Sequence, residues 1–160
     1  MKFKIIANEQ TPRTTEKVDL SNDFKMLDKF LSFARRQYNC VGLASNQVSL
    51  KGVRINKSFF ALLDNNFWDI YINPEIVKYI GKKEEKIEGC LTWLGKDIIA
   101  DRYPEIVVEY QKLNGEFKAE TISGFKAQIF QHEYNHLMGI AEKVRDRKKI
   151  SERYSKRKEN

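Results

Sequence analysis

Residues 132–136 read His-Glu-Tyr-Asn-His, and this pentapeptide demands a helix. Residues four apart share a helix face, so both imidazoles can reach one metal ion while Glu133 reaches a water beside it. The competing reading is an ordinary amphipathic helix with two coincidental histidines, and the third ligand decides between them. A tetrahedral ion held for catalysis takes one more protein donor and keeps one position open. In metalloproteases with the extended His-Glu-x-x-His-x-x-Gly-x-x-His pattern, that donor is a downstream His. Here its place is taken by Glu142, and no histidine follows His136. Glu152 and Glu159 sit in a basic tail with little apolar sequence to position them. The better donor is Cys90, in Glu88-Gly89-Cys90-Leu91-Thr92, because a thiolate binds strongly and Gly89 lets the backbone bend close to an ion. Taken alone, Cys90 also reads as a small apolar core residue.

The rest of the chain must build a core around that helix. With 160 residues, 41% of them hydrophobic and 12% aromatic, it has enough apolar surface for one domain. Ile5 to Arg13 reads as an extended arm. Ser21 or Asn22 caps a helix whose stripe of Phe24, Leu27, Leu31, Ala34 and Tyr38 faces the core. Short strands are predicted at Val53–Ile55, Phe59–Asp64 and Trp68–Ile72, with Asn73-Pro74 breaking the run before Glu75–Ile80. The mixed charges of Lys82 to Glu88 read as a solvated turn. Ile106–Tyr110 and Phe117–Ile122 flank Leu113-Asn114-Gly115-Glu116, a hairpin signal. Ser123-Gly124 opens the helix carrying the histidines, with Phe125, Ile129, Glu133, His136, Leu137 and Ile140 as its buried stripe and Gly139 as its terminator.

The net charge of +7 points to anionic surroundings or simply to a solvated surface. No N-terminal apolar segment and no run long enough to cross a bilayer is present, since Phe59 to Leu63 is closed by Asp64, so a cytoplasmic protein without membrane contact is expected. Cys40 and Cys90 do not form a disulfide framework. From Lys143 to Asn160 the chain is basic and reads as a short helix or frayed tail. It either contacts ribosomal RNA or is a solvated terminus.

Three segments together carry a resemblance: Val41-Gly42-Leu43-Ala44-Ser45-Asn46-Gln47, then Glu88 to Thr92, then Gln131 to Leu137. In order and spacing they resemble the three motifs of the peptide deformylases, which remove the formyl group from nascent N-formylmethionyl chains. Ile72 to Ile76 extends the similarity, which spans most of the chain to about Arg147. The resemblance implies an α+β fold, with antiparallel strands in small sheets around a central helix bearing the two histidines and an N-terminal helix before it. It implies a catalytic domain over residues 1–147 and a basic tail over 148–160, acting as a monomer on formyl-Met nascent peptides, with a possible ribosome contact through the tail. Cys90, His132 and His136 would hold one divalent ion, usually ferrous iron in this family, with zinc, nickel or cobalt able to replace it. Glu133 would be general base and then acid, while Gln47 and the Leu91 N–H would donate to the formyl oxygen. Gly42 and Gly89 would let the substrate backbone lie alongside the enzyme's own chain, and Val41, Phe125 and Ile129 would wall the methionine pocket.

Cys40, Asn46, the Thr92-Trp93-Leu94 run and Asn135 depart from the family pattern without touching these residues. Asn135, where the family has aspartate, removes a negative charge near the ligands. Two rival classes are an endopeptidase with a ligand downstream of His136, and a non-catalytic protein docking on RNA through its tail.

Overall fold

The computed structural model describes residues 1–147. The expected basic tail over 148–160 lies outside the described residues, as do Glu152 and Glu159. Three antiparallel sheets and two α-helices make up the described chain. The largest sheet takes the order β10-β9-β6-β5-β2, from β2 (Gly42–Ala44), β5 (Phe59–Asp64), β6 (Phe67–Ile80), β9 (Glu105–Gln111) and β10 (Phe117–Ser123). A second joins β1 (Phe3–Ile5), β3 (Val48–Leu50) and β4 (Val53–Arg54), and a third orders β11 (Lys143–Asp146), β8 (Lys96–Arg102) and β7 (Glu84–Glu88).

Alternation along β5 explains how one sheet serves two cores. Phe59 and Ala61 pack with Leu27, Phe30 and Leu31 of α1 (Leu20–Arg35), whereas Phe60 and Leu62 pack with Ile129, Phe130 and Leu137 of α2 (Gly124–Met138). A strand covered on both faces reads as a continuous apolar run, as this one does. Each fully buried phenylalanine contributes about 1.5–3 kcal/mol. Phe30 meets Phe59 edge to face at 4.8 Å, and Phe60 meets Phe130 likewise at 4.8 Å.

Several elements differ from the sequence expectation. The cap of α1 is Asp19, whose carboxylate accepts from the Ser21 N–H, and not Ser21 or Asn22. Phe24 is exposed, the buried stripe running instead through Leu27, Phe30, Leu31 and Ala34, and Tyr38 is exposed because it lies past the end of α1 at Arg35. Asn73-Pro74 does not end a strand. Asn73 adopts φ 49° at a shift in register between Ile72 and Glu75, so β6 runs on through a bulge. The bulge is fastened by the Asn73 amide, which accepts from the Val18 N–H at 2.9 Å and donates to the Val18 carbonyl at 3.2 Å. Most of the expected solvated turn over 82–88 is the edge strand β7, and Lys143–Asp146 is the strand β11 and not the start of a tail. Both pair with β8, whose existence the mixed charges around it concealed. Phe125, 63% exposed, and Ile140, 50% exposed, are not part of the buried stripe of α2. Gly139 does end that helix, in the left-handed conformation at φ 68°.

Candidate metal centre and cleft

The helix α2 is buried along Ala127, Ile129, Phe130, Gln131, His132, Glu133, His136 and Leu137. His132, Glu133 and His136 face the first and second motifs. His132 Nε2 and His136 Nε2 lie 3.1 Å apart, and Cys90 Sγ is 3.4 Å from His136 Nε2. Donors held at about 2.0–2.3 Å from one ion with tetrahedral angles are themselves about 3.3–3.8 Å apart; the 3.4 Å spacing falls in that range and the 3.1 Å spacing just short of it, so the three atoms need shift only by tenths of an ångström to share an ion. A fourth donor joins them: Glu142 Oε1 is 3.1 Å from His136 Nε2 and 3.4 Å from His132 Nε2. The ligand atoms of all four residues fall within 4.8 Å of one another.

Each imidazole is oriented from behind. His132 Nδ1 is 2.9 Å from Glu88 Oε1, and Glu88 is gripped by Arg102 through contacts of 2.7 and 3.1 Å and by Gln128 Nε2 at 2.9 Å. Burial would raise the Glu88 carboxyl, but hydrogen bonds from His132 and Arg102 outweigh it and hold it at about 2. A carboxylate on the far ring nitrogen leaves Nε2 free for an ion. Thr11 Oγ1 sits 3.3 Å from His136 Nδ1 and donates to the His136 carbonyl at 3.1 Å. Burial, and then the neighbouring His132, push His136 well below its ordinary value, which keeps that ring neutral and able to ligate.

Two carboxylates in this interior have an oxygen without a partner, Glu133 Oε2 and Glu142 Oε2. Burial raises Glu133 to about 7 against the lowering influence of His132, and burial raises Glu142 as well. A half-buried thiol, two buried imidazoles and two under-satisfied carboxyls form a cluster that a divalent cation would stabilise, so the residues present fit such an ion.

A cleft of about 400 Å³ opens over the cluster. It is lined by Val41 and Gly42 beside β2, by Ile87, Glu88 and Gly89 of β7 and its exit, and by Phe125, Ile129, His132 and Glu133 of α2, together with Gln47, Cys90 and Leu91. Of the catalytic, metal and substrate residues that the resemblance implied, all except His136 therefore line one cleft. Phe125 and Val41 stand at the rim, being 63% and 39% exposed. The Gln47 side chain is held by its own loop: its Oε1 accepts from the Ala44 N–H at 2.8 Å, and its Nε2 points to Thr92 Oγ1 at 3.1 Å and Cys90 Sγ at 3.4 Å. Its amide hydrogens are thus aimed at the cluster. Asn46 ties the same loop to the histidine helix, donating to the carbonyls of Pro12 at 2.8 Å and His136 at 2.6 Å.

Sequence reasoning passed over Arg102, Gln128 and the position of Glu142. Glu142 carried a signal, since it holds the place of the final histidine in the extended metalloprotease pattern. Arg102 and Gln128 carried none, because their role depends on β7 and β8 pairing in front of α2.

Small antiparallel sheets, a His-Glu-x-x-His helix and a cysteine from a separate strand exit define a class of single-ion metalloprotein. Residues 5–149 match the polypeptide deformylase family, and the chain belongs to it. A peptide deformylase of Thermotoga neapolitana is 37% identical over 103 residues, covering 64% of this chain and 60% of its own length. The chain thus spans about 60% of that relative. The Aquifex aeolicus peptide deformylase is 33% identical over 144 residues, covering 85% of this chain and 81% of its own. The crystal structure of peptide deformylase from Thermotoga maritima matches with a TM-score of 0.76 at 29% identity, over 88% of this chain and 94% of that chain.

Proposed function

We propose that this protein removes the formyl group from N-formylmethionine at the start of peptide chains, releasing formate. The observation that carries the reading is the convergence of Cys90, His132 and His136 under a cleft that also holds Glu133 and Gln47. Residues 1–147 form the catalytic domain, with α2 as the central scaffold on which the site is assembled. Cys90, His132 and His136 would hold one divalent ion, with ferrous iron as the working metal and zinc, nickel or cobalt as substitutes. Such an ion supplies Lewis acidity toward the formyl carbonyl and lowers the pKa of water.

The chain's own residues do the rest. Glu133, buried and within the cleft, takes one proton of the attacking water and returns it to the departing amine as the C–N bond breaks, and the proton of the resulting formic acid passes to that amine, so formate and the α-ammonium leave with no net proton change. Gln47 Nε2 and the Leu91 N–H donate to the formyl oxygen as it gains charge, each contribution being about 2.7–4 kcal/mol in comparable sites. Gly42 lies in β2, the outermost strand of the five-stranded sheet, so a peptide can pair along that edge in extended form. The ideal Cβ position at Gly89 has no atom within 4 Å, which leaves the opposite wall open to the substrate backbone. Val41, Phe125 and Ile129 receive the methionine side chain. Among the described residues no helix is long and apolar enough to cross a membrane.

Formate release from formyl-Met-Ala-Ser, with iron loaded without oxygen and metal content measured in parallel, tests the reading. Wild-type protein should turn over with one ion per chain. Cys90→Ala, His132→Ala and His136→Ala should lose stoichiometric metal, whereas Glu133→Gln should retain it and lose activity by several orders of magnitude. Metal retained in Cys90→Ala would favour an endopeptidase arrangement, and absence of formate release by the loaded wild type would refute the proposal.

A further inference from the structure

We infer that Glu142 is a fourth protein ligand, binding the ion from the wall behind the cleft so that the cleft-facing position stays open. The inference rests on the single-ion reading above and adds a donor to it. Gly139 turns the chain through the left-handed region directly after α2, and Gln10 catches the returning strand. Its Nε2 donates to the Ile140 carbonyl at 3.0 Å, and its Oε1 accepts from the Glu142 N–H at 3.3 Å. The side chain that follows is only 8% exposed and brings Oε1 to 3.1 and 3.4 Å from the two histidine Nε2 atoms. By ordinary hydrogen-bond geometry Glu142 Oε2 and Trp93 Nε1 are both unpaired, the indole N–H reaching the carboxylate only as a long contact. A carboxylate buried to that degree, with only two imidazoles on it, is costly when those rings are neutral unless an ion compensates it.

Direction distinguishes this donor from a group that would block the site. Cys90, His132 and Glu133 line the cleft, whereas His136 and Glu142 do not. Glu142 therefore completes the side of the coordination sphere that faces protein. With a thiolate and a carboxylate bound, a divalent ion carries no net charge, against +1 with the thiolate alone, and the harder oxygen donor shifts preference away from the softest metals.

The test loads wild type, Glu142→Gln and Glu142→Ala with cobalt(II) and records visible spectra, then measures zinc affinity by competition with a chromophoric chelator. Wild type should show the weak d–d bands of a five-coordinate ion. Both variants should show the stronger bands of a four-coordinate ion and bind zinc at least about tenfold more weakly. Glu142→Gln preserves side-chain volume and decides the matter if the alanine variant does not fold. Intense four-coordinate bands in wild type overturn the inference without any variant. A wild type that binds one cobalt(II) and hydrolyses formyl-Met-Ala-Ser, matched by Glu142→Gln in spectrum and affinity, overturns the Glu142 assignment alone. A wild type that binds no cobalt(II) stoichiometrically overturns both this assignment and the metal reading beneath it.

Discussion

Gly42 shows how one residue can be dictated by another across the fold. Part of its proposed job is to let a substrate strand approach, yet the nearer constraint is Glu133. A Cβ on residue 42 would stand 2.5 Å from Glu133 Oε1 and 2.8 Å from Ile129 Cγ2. The carboxylate proposed as base thus rests in space that only glycine leaves. Gly42→Ala should displace Glu133 while leaving the metal donors in place, so metal content should hold and kcat/KM on a formyl peptide should fall about 10- to 100-fold. An unchanged kcat/KM in a protein with full metal content would show that Glu133 has room to move without cost. The same scale accounts for Glu88 and Arg102, side chains 8% and 4% exposed, a buried pair whose use is to hold the His132 ring.

At the scale of elements, α2 and the N-terminal arm are joined at the helix C-terminus. Residues 11–14 run alongside the last turn: Thr11 and Thr14 donate to the carbonyls of His136 and Leu137, and Asn46 donates to the His136 carbonyl from the first loop. The helix closes its own end, with the Gly139 N–H on the His136 carbonyl at 3.1 Å and the Ile140 N–H on the Asn135 carbonyl at 3.0 Å, and the arm adds side-chain donors to this left-handed cap. Gly139 makes this possible, because a Cβ there would meet Arg13 N at 2.5 Å and Pro12 C at 3.1 Å. Gly139→Ala should destabilise by about 1–3 kcal/mol from backbone strain, and more from the collision. At about 2–4 °C per kcal/mol for a chain of this size, thermal denaturation should show a clear loss. Gly139→Asn discriminates the causes. Asparagine tolerates the left-handed region, so a Tm near wild type would assign the cost to strain, whereas a loss equal to alanine's assigns it to contact with the arm.

For the whole molecule, the described residues close on themselves at β11, whose pairing with β8 is reinforced by an ion pair between Lys96 and Asp146 and by Arg147 on Asp97 at 3.1 Å. Every residue of the proposed site lies at or before Arg147, and six Lys and Arg, against Glu152 and Glu159, follow it. We propose that they add affinity for the ribosome. A chain ending at Arg147 should keep its rate on a short formyl peptide and bind ribosomes less tightly at low salt, a difference that shrinks steeply as salt rises. Equal ribosome binding by both forms would make the tail a solvated terminus. Loss of peptide activity would show that it packs on the catalytic domain.

Much of this protein was legible before any coordinates. The i, i+4 histidines, the apolar run Phe59–Leu63, the Asn114-Gly115 hairpin and the Gly139 stop are local signals, because helix period, strand burial and turn conformation are set by residues next to one another. Which side chains meet was not local. That β7 and β11 are strands depends on their pairing with β8, since mixed-charge edge strands look like solvated loops until a partner supplies the ladder. Phe24, Phe125 and Ile140 fit the period of a buried stripe, but burial required a neighbour that tertiary packing placed elsewhere. The sequence by itself determined the two helical histidines and their adjacent carboxylate. Only tertiary structure brought Cys90, 42 residues before His132, and Glu142, beyond a left-handed turn, to within 4.8 Å of those rings, because donors from separate elements converge only when the sheets between them are packed.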